Sequence, residues 1–262
     1  MIMTNVVQIA RRLKPEEEEV LRKRKELAAI RATLAERELD LVDFKTQLAA
    51  FEGRYLRQVG ILYAELDEWK ARISELRARL NPSAAANAQA EEAREQARQT
   101  YEDAHGKASE SRDFKPSPEL KSLYRQAAKR IHPDFSKDAS DRERRNRFMA
   151  EAIRAYEAGD AEALQRILDE FHEGADAVEG EGIAAELIRI IRQISQVRER
   201  IAAIERELDA LFTCEIAQLK RDAEDAKQKG RDLLAELAAS LRGRIKAAEG
   251  EYEILFREFE SR

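Results

Sequence analysis

His132 and Asp134 stand on either side of Pro133, at the end of the run LKSLYRQAAKRI, in which cationic residues recur every four positions. An imidazole and a carboxylate this close can move a proton, join a metal site, or make charge-assisted hydrogen bonds to a partner. Proton or nucleophilic chemistry calls for a second acid or base, a glycine-rich phosphate loop or a nucleophile elbow at a motif spacing, and the chain carries none of these. His105 and His172 lack a ligand partner at helical spacing, and Cys214 is the only cysteine, so neither a metal site nor a disulfide is expected. The chain therefore reads as a non-enzyme without cofactor or catalytic residue. The remaining chemistry is recognition, by a histidine, a carboxylate and a row of cations offered to another surface.

These residues need a helix to place them. On a helical wheel Leu120, Tyr124, Ala127 and Ile131 share one side, Lys121, Arg125 and Lys129 share a neighbouring side, and His132 continues the cationic row. Ser117 as N-cap and Pro118 at the first helical position set the start. Pro133 has no N–H and disfavours helix at the residue before it, which predicts an end near Ile131 or His132 and leaves the histidine and aspartate on a loop. A second amphipathic helix follows, with Ser140 and Glu143 as a capping box and Met149, Ala152, Ile153 and Tyr156 as the face that meets Tyr124 and Ile131. Gly159-Asp160 ends it and caps a third helix striped by Leu164, Ile167, Leu168 and Phe171.

With Tyr124-Arg125, Lys129-Arg130 and His132-Pro133-Asp134 in that order, then a capped helix containing Ala155-Tyr156, the chain resembles the J-domain, the Hsp70-activating module of DnaJ-type co-chaperones. The resemblance covers roughly Phe114 to Phe171. The family's first helix is not recognisable, Phe135 stands where the usual lysine follows the tripeptide, and Ala127 replaces the usual leucine. The resemblance implies that the chain hydrolyses no ATP itself but stimulates an Hsp70. Lys121, Arg125, Lys129 and Arg130 would meet an acidic Hsp70 surface, and His132, Pro133 and Asp134 would engage the chaperone near its interdomain junction. Tyr124, Ile131, Met149, Ile153 and Tyr156 would form the module core. No Gly/Phe-rich or cysteine-rich client region is present, so targeting falls to the rest of the chain, which would bind a specific partner or client. The alternative is a structural scaffold or spacer with a degenerate J-like tip.

The flanks are charged rods. With 38% charged and 6% aromatic residues, 47 basic against 52 acidic and a net charge of -5, the composition suits long helices better than one large globular core. The interleaved signs leave no nucleic-acid footprint; Arg142, Arg144, Arg145 and Arg147, diluted by Asp141 and Glu143, read as a solvated face. No apolar run approaches the ~18 residues that span a bilayer. No nucleic-acid or membrane partner is expected, and the protein reads as soluble and cytoplasmic. The organisation expected is a flexible lead-in over 1–14, N-terminal coiled-coil helices over 15–106 broken near 81–83, the J-like module over 107–176, and a C-terminal coiled-coil helix over 177–262.

The heptad seam runs through Leu27, Ile30, Leu34, Leu41, Phe44, Leu48 and Phe51, then takes two steps of four at Tyr55 and Val59, which predicts local unwinding. The last segment returns to heptads at Ile183, Leu187, Ile190, Ile194, Val197, Ile201, Ile204 and Leu208, with steps of four through Phe212 and Ile216 and again at Leu237, Leu241 and Ile245. Folding the chain back at the module sets Leu241 opposite Tyr55 and Phe212 opposite Pro82. The fold class expected is all-α, with long antiparallel coiled-coil helices and the small module between them; a parallel homodimer has the same heptads.

Overall fold

The computed structural model describes residues 14–106, 114–136, 138–171 and 182–261. It is all-α, with no strand among the described residues. The helices are α1 (Pro15–Tyr55), α2 (Ile61–Leu80), α3 (Ala84–Gly106), α4 (Pro118–Ile131), α5 (Ala139–Ala158), α6 (Ala161–Glu170), α7 (Ile183–Thr213), α8 (Glu215–Gln228) and α9 (Leu233–Glu260). The chain divides into two compact units, one of Met1–Asp43 with Pro116–Asp209 and the other of Phe44–Lys115 with Ala210–Arg262. Each unit thus draws on both sides of the J-like segment, and α1 and α7 contribute to both. The expected lead-in, apart from Lys14, lies outside the described residues, as do 107–113 and 172–176 of the expected module and 177–181 of the expected C-terminal helix.

In the first unit Val20 and Leu27 of α1 form a buried cluster with Ile190 and Ile194 of α7, flanked by Ile30 and Leu187. Beside this seam stand the pairs Arg24 with Glu186, Arg31 with Gln193, and Arg200 with Glu38, each separated by 162 positions. A constant difference in number, repeated every seven residues, belongs to helices that run in the same direction; an antiparallel pair keeps the sum constant instead. α1 and α7 are therefore a parallel pair, not the two arms of the expected antiparallel hairpin. The physical reason is that a heptad seam records the spacing of apolar residues and not the direction of the partner, so either pairing satisfies it. Within the second unit α3 packs back along α2, with Thr100 Oγ1 donating to Asp67 at 3.0 Å and Arg94 near Glu75 at 3.9 Å.

In the second unit the expected unwinding takes the form of a π-helical turn, Leu56–Gly60, joining α1 to α2. The extra residue in such a turn brings the seam back into step after Phe51 and Tyr55. α3 faces α2 with Ala90, Ala97 and Ala104, all buried and seven apart. At Gly60 an added Cβ would lie 3.0 Å from Leu56 Cδ2 and 3.8 Å from Ala104 Cβ, so glycine suits this close approach. Phe51, Val59, Leu62 and Leu66 share a core with Leu234, Ala238, Leu241 and Ile245. Farther along both helices, Trp69 meets Tyr252 at 5.6 Å and Arg77 pairs with Glu251, so α9 runs parallel to α2. The C-terminal segment is not one helix. It breaks at Cys214, whose backbone is extended, and at 229–232, where Gly230 takes φ 73°. The steps of four through Phe212 and Ile216 fall on the first break, and Phe212 packs its ring 4.3 Å from that of Phe44. No helix among the described residues is long and apolar enough to cross a membrane.

Candidate functional site

The site begins with the capping of α4. Ser117 Oγ accepts the Leu120 N–H at 3.1 Å, Pro118 follows, and the helix stops at Ile131. His132 leaves it with φ -50° and ψ 133°, and Pro133–Phe135 forms a single 3-10 turn. α5 is capped by Asp138, which accepts the Asp141 N–H at 2.8 Å, and not by Ser140 with Glu143. The extended backbone at Asp138, with φ -149°, makes it the entry residue and puts Ser140 already inside the first turn. Gly159 closes α5 at φ 73° and Asp160 caps α6 by accepting the Ala163 N–H at 2.8 Å.

α4 and α5 form an antiparallel hairpin with the tripeptide in its link. The Tyr124 and Tyr156 rings meet at 4.9 Å at one end, and at the other Arg145 Nη1 donates to the Arg130 carbonyl at 2.8 Å. α6 closes the module, with Arg130 Nη2 donating to the Phe171 carbonyl at 3.2 Å. Tyr124, Ile131, Met149 and Tyr156 are buried, and Ile153 is half-buried.

His132, read as an exposed docking residue, is 3% exposed. Its Nδ1 accepts the Asp134 backbone N–H at 3.1 Å, which leaves the ring proton on Nε2, and Nε2 donates to Glu38 Oε1 of α1 at 3.0 Å. Arg200 Nε of α7 donates to the same oxygen at 2.8 Å. Burial alone pushes the Glu38 carboxyl up, but the hydrogen bonds from His132 and Arg200, with the charge of the guanidinium, prevail and hold it below the ordinary carboxylate range. A second α1 carboxylate, Asp43, accepts Lys121 Nζ at 2.7 Å and the Tyr156 hydroxyl at 3.0 Å. A third, Glu36, lies 3.4 Å from Arg125 at a more exposed edge. Arg31 places its guanidinium 4.2 Å from the centre of the Phe135 ring.

The first two members of the α4 cationic row are thus paired with α1 carboxylates, Lys121 half-buried and Arg125 more open to solvent. Lys129 is exposed, Arg130 is exposed but tied to Phe171, and Pro133 and Asp134 are half-buried. Four residues of this arrangement escape a motif search: Glu36, Glu38, Asp43 and Arg200. The signal for them is a second stripe on α1. Ala35, Leu39 and Val42 are buried, as are Leu34 and Leu41 of the seam, and Glu38, at 5% exposure, is the polar member among them. A helix with one partner has no use for two apolar stripes, so the second announces a further packed element.

Chemically, the arrangement sets three α1 carboxylates against an ammonium, a guanidinium and an imidazole of the module. Among the described residues no group of three His, Cys, Asp or Glu could hold a metal ion. The Tyr124 hydroxyl is buried without a hydrogen-bond partner, and desolvation, reinforced by the nearby Glu38 charge, pushes its pKa up. Comparison with known protein families, curated proteins and solved structures finds no match for the chain.

Proposed function

We propose that this chain is a J-domain co-chaperone, which docks on an Hsp70 through Lys121, Arg125, Lys129, Arg130 and the His132-Pro133-Asp134 turn and stimulates the chaperone's ATP hydrolysis. Its coiled-coil helices bind a specific protein partner or client, and it works in the cytoplasm. The observation that carries this reading is the hairpin itself, with a basic helix, a link made of the tripeptide, and an antiparallel helix packed back through Tyr124 and Tyr156. Pro133 holds the link by its fixed φ, and the half-buried carboxylate of Asp134 accepts charge-assisted hydrogen bonds from an Hsp70 arginine.

A second reading, a coiled-coil scaffold with a degenerate J-like tip, draws on a different observation. His132 is buried and bonded to Glu38, so the tripeptide also fastens α4 to the α1–α7 pair. Single-turnover ATP hydrolysis by an Hsp70, measured with the parent chain and with Asp134→Asn at equal helicity, separates the two. Stimulation that disappears in the variant supports the co-chaperone; no stimulation by either protein leaves the scaffold.

A further inference from the structure

We infer that the α1 row Glu36, Glu38 and Asp43 is an internal ligand of the α4 recognition face, so that the module is closed and an acidic partner surface must displace α1 to reach it. This rests on the co-chaperone reading and adds regulation to it.

The argument starts from access. His132 is 3% exposed and its Nε2 is committed to Glu38, so no partner can touch that nitrogen while α4 lies on α1. Lys121 and Arg125 are held by Asp43 and Glu36 at 2.7 Å and 3.4 Å. The three contacts together present to α4 what an acidic protein surface would present: carboxylates spaced along one side of a helix. What stays outside is a foothold, the exposed Lys129 and Arg130 with the half-buried Asp134.

Displacement is feasible because it is an exchange. Each cation trades one carboxylate for another, and the pair at Glu36 is exposed enough to contribute little. The hardest step is parting His132 from a buried carboxylate, and here the sharing of one oxygen matters. Arg200 Nε lies 2.8 Å from the same Glu38 Oε1, so Glu38 keeps a cation when the imidazole leaves and no buried charge is stranded. Against opening stands the loss of the buried contacts around His132, itself 3% exposed, together with any part of the buried α1 stripe Ala35, Leu39 and Val42 that opening uncovers, which keeps the open state rare without a partner.

The test uses the full chain carrying Glu36→Gln with Asp43→Asn, which leaves Glu38 and Arg200 in place. Two quantities are read: amide hydrogen exchange over 120–135, and single-turnover ATP hydrolysis by an Hsp70. The expected result is faster exchange in that stretch and a rise in stimulation of about three- to tenfold, as a population shift toward an open form produces; adding Asp134→Asn cancels the rise. Glu36→Gln alone, at the exposed edge where folding is not at stake, must move both readouts the same way by a smaller factor. Stimulation equal to that of the parent overturns the closure and leaves the co-chaperone reading standing. If exchange quickens but neither protein stimulates any Hsp70, the co-chaperone reading falls and the inference with it.

Discussion

Arg24 with Glu186 and Arg200 with Glu38 are rungs of one ladder, set two heptads apart on the same two parallel helices. At the first rung the side chains are 59% and 31% exposed, and the pair is one more surface contact. At the other Glu38 is almost sealed, with 7% of its side chain exposed, and a third group, His132, shares its oxygen. The helices and the charge types are alike at both; the module lies over only one. The same rung is therefore decoration in one place and a fastening in the other, and the difference is made by what packs on top.

Arg200→Ala breaks the comparison most severely. Removing the guanidinium leaves a buried carboxylate with only a histidine, and the first unit should lose about 3 kcal/mol, read from hydrogen exchange of α4 and α5 in a denaturant series. A smaller loss than that of Arg24→Ala would show that the module does not seal the rung.

Acid sharpens it next. Glu38 has a folded pKa below its unfolded one, so its contribution is present above the ordinary carboxylate range and is lost as pH falls through the lowered folded value. Stability of the parent minus that of Glu38→Gln, followed downward from pH 7, should shrink across that window; a difference that stays constant would mean the carboxylate is not held down.

The two tyrosines extend the comparison to neutral groups. Tyr156→Phe loses the hydroxyl that Asp43 accepts at 3.0 Å and should destabilise by about 1 kcal/mol. Tyr124→Phe removes a buried hydroxyl without a partner and should be neutral or stabilising by up to about 1 kcal/mol. Thermal melts of the two single variants must differ in that order. The smallest effect belongs to Arg24→Ala, under about 1 kcal/mol and fading in high salt.

Much of this was legible in the order of residues. The two ends of α4, the start of α6 at Asp160, the C-cap at Gly159 and the unwinding after Phe51 follow from local rules, because caps, prolines, glycines and heptad steps act over a few neighbours and leave their mark in the chain itself. The cap of α5 was not legible in the same way, since Asp138 and Ser140 are both competent to cap and only the extended backbone at Asp138 chooses between them. The module's core residues share one face for the same local reason. Direction was not legible: a heptad seam is satisfied by a parallel or an antiparallel partner, and only the folded chain shows which one α7 becomes. Nor was the fate of the basic row. Lys121, Arg125 and His132 announce that they will meet carboxylates, but not whose, and it took the folded chain to bring Asp43, Glu36 and Glu38 within reach from 78, 89 and 94 positions away. Local propensity is written in sequence; the choice among equally charged partners is made by proximity, which only tertiary packing supplies.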